Sequence, residues 1–155
     1  MHNCKYTSTK TYKELGPVAY RQWRAESHCK YIHGYAMSFH FEFSSDELDV
    51  RNWCIDYGGL KPLKDFLEDQ FDHTLLVAED DPQIQKFQDL QDAGLAQVRM
   101  FEKLGCEGLA DALYEYVNTI FLKNYGEADR VWCTKVEVRE TGSNMAHRSG
   151  YRDIE

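Results

Sequence analysis

The chain has 155 residues, 43% of them hydrophobic and 14% aromatic, with a formal net charge of −8. That length suits one domain, 1–155, with a real hydrophobic core. The acidic balance, with no dense Lys/Arg run, excludes a general nucleic-acid binder and a basic membrane-surface protein, but not a small anionic ligand in a locally basic pocket.

The opening MHNCKYTSTKTYKEL lacks the apolar core of a secretory signal. No stretch is apolar for the length of a bilayer span, so a cytoplasmic protein with no membrane partner is expected. The cysteines, Cys4, Cys29, Cys54, Cys106 and Cys133, are odd in number, scattered and without a CxxC pair. That pattern suits a reducing compartment and argues against a disulfide framework or a cysteine zinc knuckle.

In chain order, residues 4–12 and 17–24 read as strands. Residues 35–44 give the cleanest strand: Tyr35, Met37, Phe39, Phe41 and Phe43 share one parity, and Ala36, Ser38, His40, Glu42 and Ser44 the wetter one. Leu60, Leu63, Phe66 and Leu67 predict a helix from about 60 to 70, with Pro62 near its start. Residues 80–94 read as a second, mostly exposed helix between Pro82 and Gly94, and 95–101 as a strand. From Glu107, the positions Ala110, Leu113, Tyr114, Val117, Ile120 and Phe121 form the strongest amphipathic helix. Residues 128–140 alternate again and close the sheet. The tail is polar and expected to be loose from about 148. Antiparallel strands with helices on one face imply an α+β domain, whose sheet edges invite oligomerisation.

Four clusters carry groups capable of chemistry. The first is Ser27 to Tyr35, with His28, Cys29 and His33 just before a strand. Imidazole and thiolate suit zinc, although histidines at a strand entrance are equally at home as surface residues. Gly34 lets a ligand or backbone approach closely. The second is Asp72-His73, where a carboxylate can orient an imidazole and stabilise its protonated form; a capping Asp beside a polar loop His is the plainer alternative. The third is Glu140, closing the last long strand. A carboxylate there can accept two hydrogen bonds from an amidine-like ring edge, or simply be a solvated strand end. The fourth is Gly105-Cys106-Glu107, where N–H groups at a helix start can bind a carbonyl or carboxylate, with Glu107 alternatively only a favourable first-turn acid.

Together these pieces resemble the 6-pyruvoyltetrahydropterin synthase family, which includes the bacterial 6-carboxytetrahydropterin synthases of queuosine biosynthesis. The matching run is Ala25 to His28, then Cys29 to His33-Gly34, then the alternating strand. Ile55-Asp56-Tyr57 with Leu60-Lys61, Phe71-Asp72-His73 with Leu76, Cys106-Glu107, and Val138, Glu140, Thr141, Asn144 and Ala146 continue it in order. The resemblance spans about residues 18–147.

What the resemblance implies is a T-fold, or tunnelling fold, assembling into a barrel-like homo-oligomer, commonly a homohexamer, with sites between subunits. The implied substrate is 7,8-dihydroneopterin triphosphate. His28 and His33 would bind Zn2+, Cys29 would be the general base, with zinc or Lys30 favouring its thiolate, and Asp72 and His73 the proton relay. Glu140 would hold the pterin's amino-pyrimidine edge, with Glu107 and Cys106 assisting. Two departures stand out. The family reads His-Gly-His where this chain reads His33-Gly34-Tyr35. On a strand, positions 33 and 35 share a face, so Tyr35 is expected as an atypical third zinc ligand, while His40 has the wrong parity. His28 and Cys29 are also adjacent, which tends to point ligand and base apart. The favoured activity is 6-carboxytetrahydropterin synthesis, a lyase reaction. A 6-pyruvoyltetrahydropterin synthase, a dihydroneopterin aldolase-type enzyme and a non-catalytic pterin-binding ring protein are the alternatives.

Overall fold

The computed structural model describes residues 4–152. Two four-stranded sheets organise it. The first has the order β1-β4-β7-β8, from Tyr6–Tyr12, Ser38–Ser45, Trp132–Arg139 and Met145–Ser149, and is antiparallel throughout. The second has the order β3-β2-β5-β6, from His33–Ala36, Pro17–Tyr20, Thr74–Ala78 and Val98–Phe101. Here β2 runs antiparallel to β3 but parallel to β5, and β5 parallel to β6. The α+β T-fold class therefore holds, with the qualification that only the larger sheet is wholly antiparallel.

The first sheet follows its alternation. Phe39, Phe41 and Phe43 are fully buried, as are Val136 and Val138 across the β4/β7 pairing. The opposite parity carries His40, whose Nδ1 lies 2.7 Å from the Thr11 hydroxyl. Helix α3 (Cys106–Tyr116) packs on β7 and β8 through Leu109, Ala110 and Leu113. It continues through a π-helical turn, Val117–Phe121, into α4 (Leu122–Tyr125). Buried Asn118 in that turn donates to the Cys133 carbonyl at 2.9 Å and accepts from the Cys133 N–H at 2.8 Å. A side-chain amide thus satisfies both backbone groups where β7 bulges against Glu42/Phe43.

The second sheet departs further from expectation. The alternating run 35–44 is not one strand: the chain changes sheets at Met37, so that 33–36 pairs with β2 and 38–45 with β1 and β7. Strand β5 was not predicted, because all five of its residues are buried and no alternation marks it. A strand flanked by parallel neighbours and covered by helices reads as a continuous apolar run. Helix α1 (Lys61–Phe71) buries Leu63, Leu67 and Phe71, and α2 (Ile84–Asp92) buries Phe87. Strand β2 stops at Tyr20, four residues short of the expected end, as Arg21 turns to a bidentate pair with buried Asp81 (2.8 and 2.6 Å). At the other end of the chain, β8 pairs with β7 through Ser149, so order extends past the predicted start of the loose tail.

Candidate active site

Between the sheets' ends lies a cavity of about 250 Å³ lined by Tyr20, Gln22, Cys29, His33, Tyr35, Gly105, Cys106, Glu107, Glu140, Asn144 and Met145. It gathers six of the nine residues singled out from sequence: Cys29, His33, Tyr35, Cys106, Glu107 and Glu140.

Each is placed by local chemistry. Cys29 sits in a 3-10 turn, His28–Lys30, whose capping Ser27 hydroxyl accepts the Cys29 N–H at 3.4 Å. The Gln22 N–H donates to the Cys29 carbonyl at 2.8 Å. Lys30 lies over the Tyr31 ring, 5.2 Å from its centroid. His33 and Tyr35, two apart on edge strand β3, face the same way, with their rings 5.3 Å apart and nearly perpendicular. Gly34 between them is needed, since a Cβ there would lie 2.6 Å from the Val18 carbonyl. Cys106 opens α3 after Gly105, whose φ of +93° places it in the region that favours glycine.

Glu140 follows β7, in a turn where the Thr141 hydroxyl accepts from the N–H groups of Ser143 and Asn144. Its carboxylate accepts from the Tyr20 hydroxyl and from Asn144 Nδ2, each at 3.4 Å. Tyr20 was missed from sequence, although its parity with Val18 and Gln22 was available; only the sheet pairing with His33 puts it over the site. Burial, then the Glu140 charge, drives the Tyr20 pKa far above the ordinary phenol value. Burial, then Glu140, pushes the Cys106 thiol up to about 11. Both remain protonated near neutrality. No Arg or Lys lines the cavity, while two carboxylates do. Such a lining suits a ligand edge rich in N–H donors and leaves a polyphosphate to bind elsewhere.

The other three residues lie outside. His28 is exposed and does not line the cavity. Asp72 and His73 form a close couple, Oδ1 to Nδ1 2.7 Å. His73 instead lines a second, largely apolar groove of about 660 Å³ with Gly16, Pro17, Gly34, Tyr35 and Thr74. His73 holds φ of 58°, a left-handed conformation costly for a non-glycine, and its N–H donates to the Pro17 carbonyl at 2.7 Å. A Cβ on Gly16 would fall on the Asp72 carboxylate. Tyr35 lines both spaces.

The expected zinc set is not assembled. His33 Nδ1 lies 2.6 Å from the Tyr31 carbonyl, which can only accept, so Nδ1 carries a proton. That leaves Nε2 as the nitrogen a metal would take, and here it lies 2.9 Å from the Tyr35 hydroxyl. Burial, then the charges of Glu140 and Cys29, raises the Tyr35 pKa. Among the described residues, no three His, Cys, Asp or Glu side chains converge to hold a metal ion. The donors present do not fit a three-ligand zinc site.

A two-sheet α+β domain with an acid-anchored cavity at the strand ends defines a class of small-ligand enzyme folds. The sequence matches 6-pyruvoyl tetrahydropterin synthase over residues 14–150, and the chain belongs to that family, whose members are pterin lyases. Three solved structures share the fold. An uncharacterized protein of Wolinella succinogenes, WS1659, superposes with a TM-score of 0.79 at 18% identity, covering 94% of this chain and 98% of that one. The Caenorhabditis elegans 6-pyruvoyl tetrahydropterin synthase gives 0.61 at 16%, covering 94% and 96%. The Plasmodium falciparum 6-pyruvoyl tetrahydropterin synthase gives 0.59 at 12%, covering 97% and 100%. No curated protein sequence matches the chain. No helix among the described residues is long and apolar enough to cross a membrane.

Proposed function

We propose that the chain is a cytoplasmic pterin lyase acting on 7,8-dihydroneopterin triphosphate, in the manner of a 6-carboxytetrahydropterin synthase of a deazaguanine pathway. The observation that carries this reading is the convergence of Cys29 and Glu140 on one small cavity lined by two carboxylates and no Arg or Lys. Glu140, steadied by Tyr20 and Asn144, accepts two hydrogen bonds from the amino-pyrimidine edge. Cys106 and Glu107 border the same edge. Cys29, at the exposed rim, removes a side-chain proton. The net change adds one water and releases triphosphate and acetaldehyde, leaving one carboxyl carbon on the ring.

The proposal extends to a homo-oligomeric ring, of six chains in the family's common form. The apolar groove beside β3 is a seat for a second copy, and Tyr35 is shared by groove and cavity. An Asp72–His73 couple brought to each cavity by such assembly would relay the proton taken by Cys29.

The test is incubation of the full chain with dihydroneopterin triphosphate and mass analysis of the product. A 6-carboxypterin supports this reading. A 6-pyruvoyl product or a hydroxymethylpterin moves the chain to another branch of the same chemistry. Unchanged substrate that nevertheless binds would make it a pterin-binding ring protein.

A further inference from the structure

We infer that the site works without a metal: the Tyr35 hydroxyl, hydrogen-bonded to His33 Nε2 and held beside Glu140, stands where a third metal ligand would, and the Tyr35–His33 pair meets the substrate's side-chain oxygen with hydrogen bonds. For its substrate, this inference rests on the pterin-lyase reading above; its statement about metal does not.

Geometry and donor count point the same way. A catalytic zinc takes about three protein ligands. Within one chain the cavity offers one imidazole, because His28 is on the surface, and that imidazole's free nitrogen is already engaged. Distance alone would not exclude an ion. A tetrahedral zinc bound to both donors would hold them about 3.3 Å apart, only slightly beyond the observed 2.9 Å. The obstacle is convergence: Cys29, Cys106, Glu107 and Glu140 also line the cavity, yet among the described residues no three His, Cys, Asp or Glu side chains come together as zinc requires. A hydrogen-bonding pair needs no such convergence. Its members are also packed rather than loose: the Tyr20 ring lies 5.9 Å from both His33 and Tyr35, and Tyr20 itself is buried.

The pair has what a metal-free site needs. A hydroxyl both donates and accepts, so Tyr35 can turn its O–H from His33 to a substrate oxygen while His33 remains fixed by the Tyr31 carbonyl. Prepositioned donors in a partly desolvated pocket stabilise developing negative charge on such an oxygen. Tyr35 also borders the groove that carries His73, which makes it the side chain common to the relay couple and the ring anchor.

The experiment has two arms. In the first, full-length protein stripped with a chelator is titrated with zinc chloride alone, and bound metal is measured after desalting. Wild type is expected to retain far less than one zinc per chain, with Tyr35→Phe no different. Tyr35→His, which adds a second imidazole beside His33 and Cys29, is expected to bind zinc at least about tenfold more tightly. One zinc per wild-type chain, lost in Tyr35→Phe, would overturn the inference. In the second arm, turnover of dihydroneopterin triphosphate is followed with chelator present. The expected result is unchanged turnover in wild type and a kcat roughly 10²-fold lower in Tyr35→Phe at similar KM. Turnover that stops on chelation and returns with zinc overturns the inference while leaving the lyase reading intact. A complete lack of turnover, with or without zinc, counts against the lyase reading, and the metal statement is then decided by the first arm.

Discussion

The two sheets bury their residues by opposite rules. In the central strands β4 and β7 of the first sheet, alternate residues enter the core, and Phe39, Phe41 and Phe43 are completely enclosed. In the second sheet the rhythm is kept by β2 but lost at β5, which is buried along its whole length, while β3 alternates only between half-buried and exposed. The chemistry falls on the second kind of surface. His33 and Tyr35 stand on the edge strand β3, and Glu140 is added only where β7 runs out of partners at its turn. Regular alternation maximises burial and leaves nothing over. A short edge strand, packed on one side, keeps polar side chains half exposed and available to a ligand.

The sharpest way to break that contrast is to damage each region and read the other. Phe41→Ala, in the large sheet, should lower unfolding stability by about 3–5 kcal/mol in denaturant titration. A loss under 1 kcal/mol would mean that sheet is not the structural core. Cys29→Ala, at the exposed rim, should do the reverse: turnover falls roughly 10²–10⁴-fold, while pterin affinity and the melting temperature hold. Comparable turnover would remove the proposed base. Glu140→Gln should weaken pterin binding by about 1.5–3 kcal/mol, the worth of hydrogen bonds to a charged acceptor, in calorimetry on folded protein. If affinity is unaltered, the ring is anchored elsewhere.

A smaller effect is expected on the alkaline side. Cys106, Tyr12 and Tyr20 all have folded pKa values above their ordinary ones, with Cys106 at about 11 and Tyr12 at about 12, chiefly through burial. The unfolded chain ionises first, so their contribution is complete below about pH 9 and is lost as pH rises through the folded values. Melting temperature should therefore fall between pH 9 and 11, and Tyr20→Phe should flatten that slope. An identical slope in the variant would detach Tyr20 from the effect. The least costly probe is Gly16→Ala. It should displace the Asp72 carboxylate from His73 and shift the His73 imidazole resonances in NMR, with little change at Cys29.

Much was readable in the chain itself. The parity of 38–44, the helical spacing after Leu60 and Glu107, and the positions of Pro62 and Gly94 are local properties, and the structure follows them with shifts of a residue or two. The expectation that Tyr35 shares a face with His33 also needed only backbone periodicity. What no local pattern contained was the break at Met37, the parallel β5, the pairing of β8 and the approach of Tyr20 to Glu140, 120 residues apart.

Sequence by itself determined which side chains could do chemistry and which way most of them point, because side-chain direction follows from the repeat of each element. Tertiary structure alone decided which of them meet. It joined Cys29, His33, Tyr35, Cys106, Glu107 and Glu140, left His73, paired with Asp72, at the neighbouring groove, and tied Tyr35 to His33. The physical reason is that pairing and sheet choice are settled by burial and hydrogen bonding between distant segments, free energies that no single stretch of the chain contains.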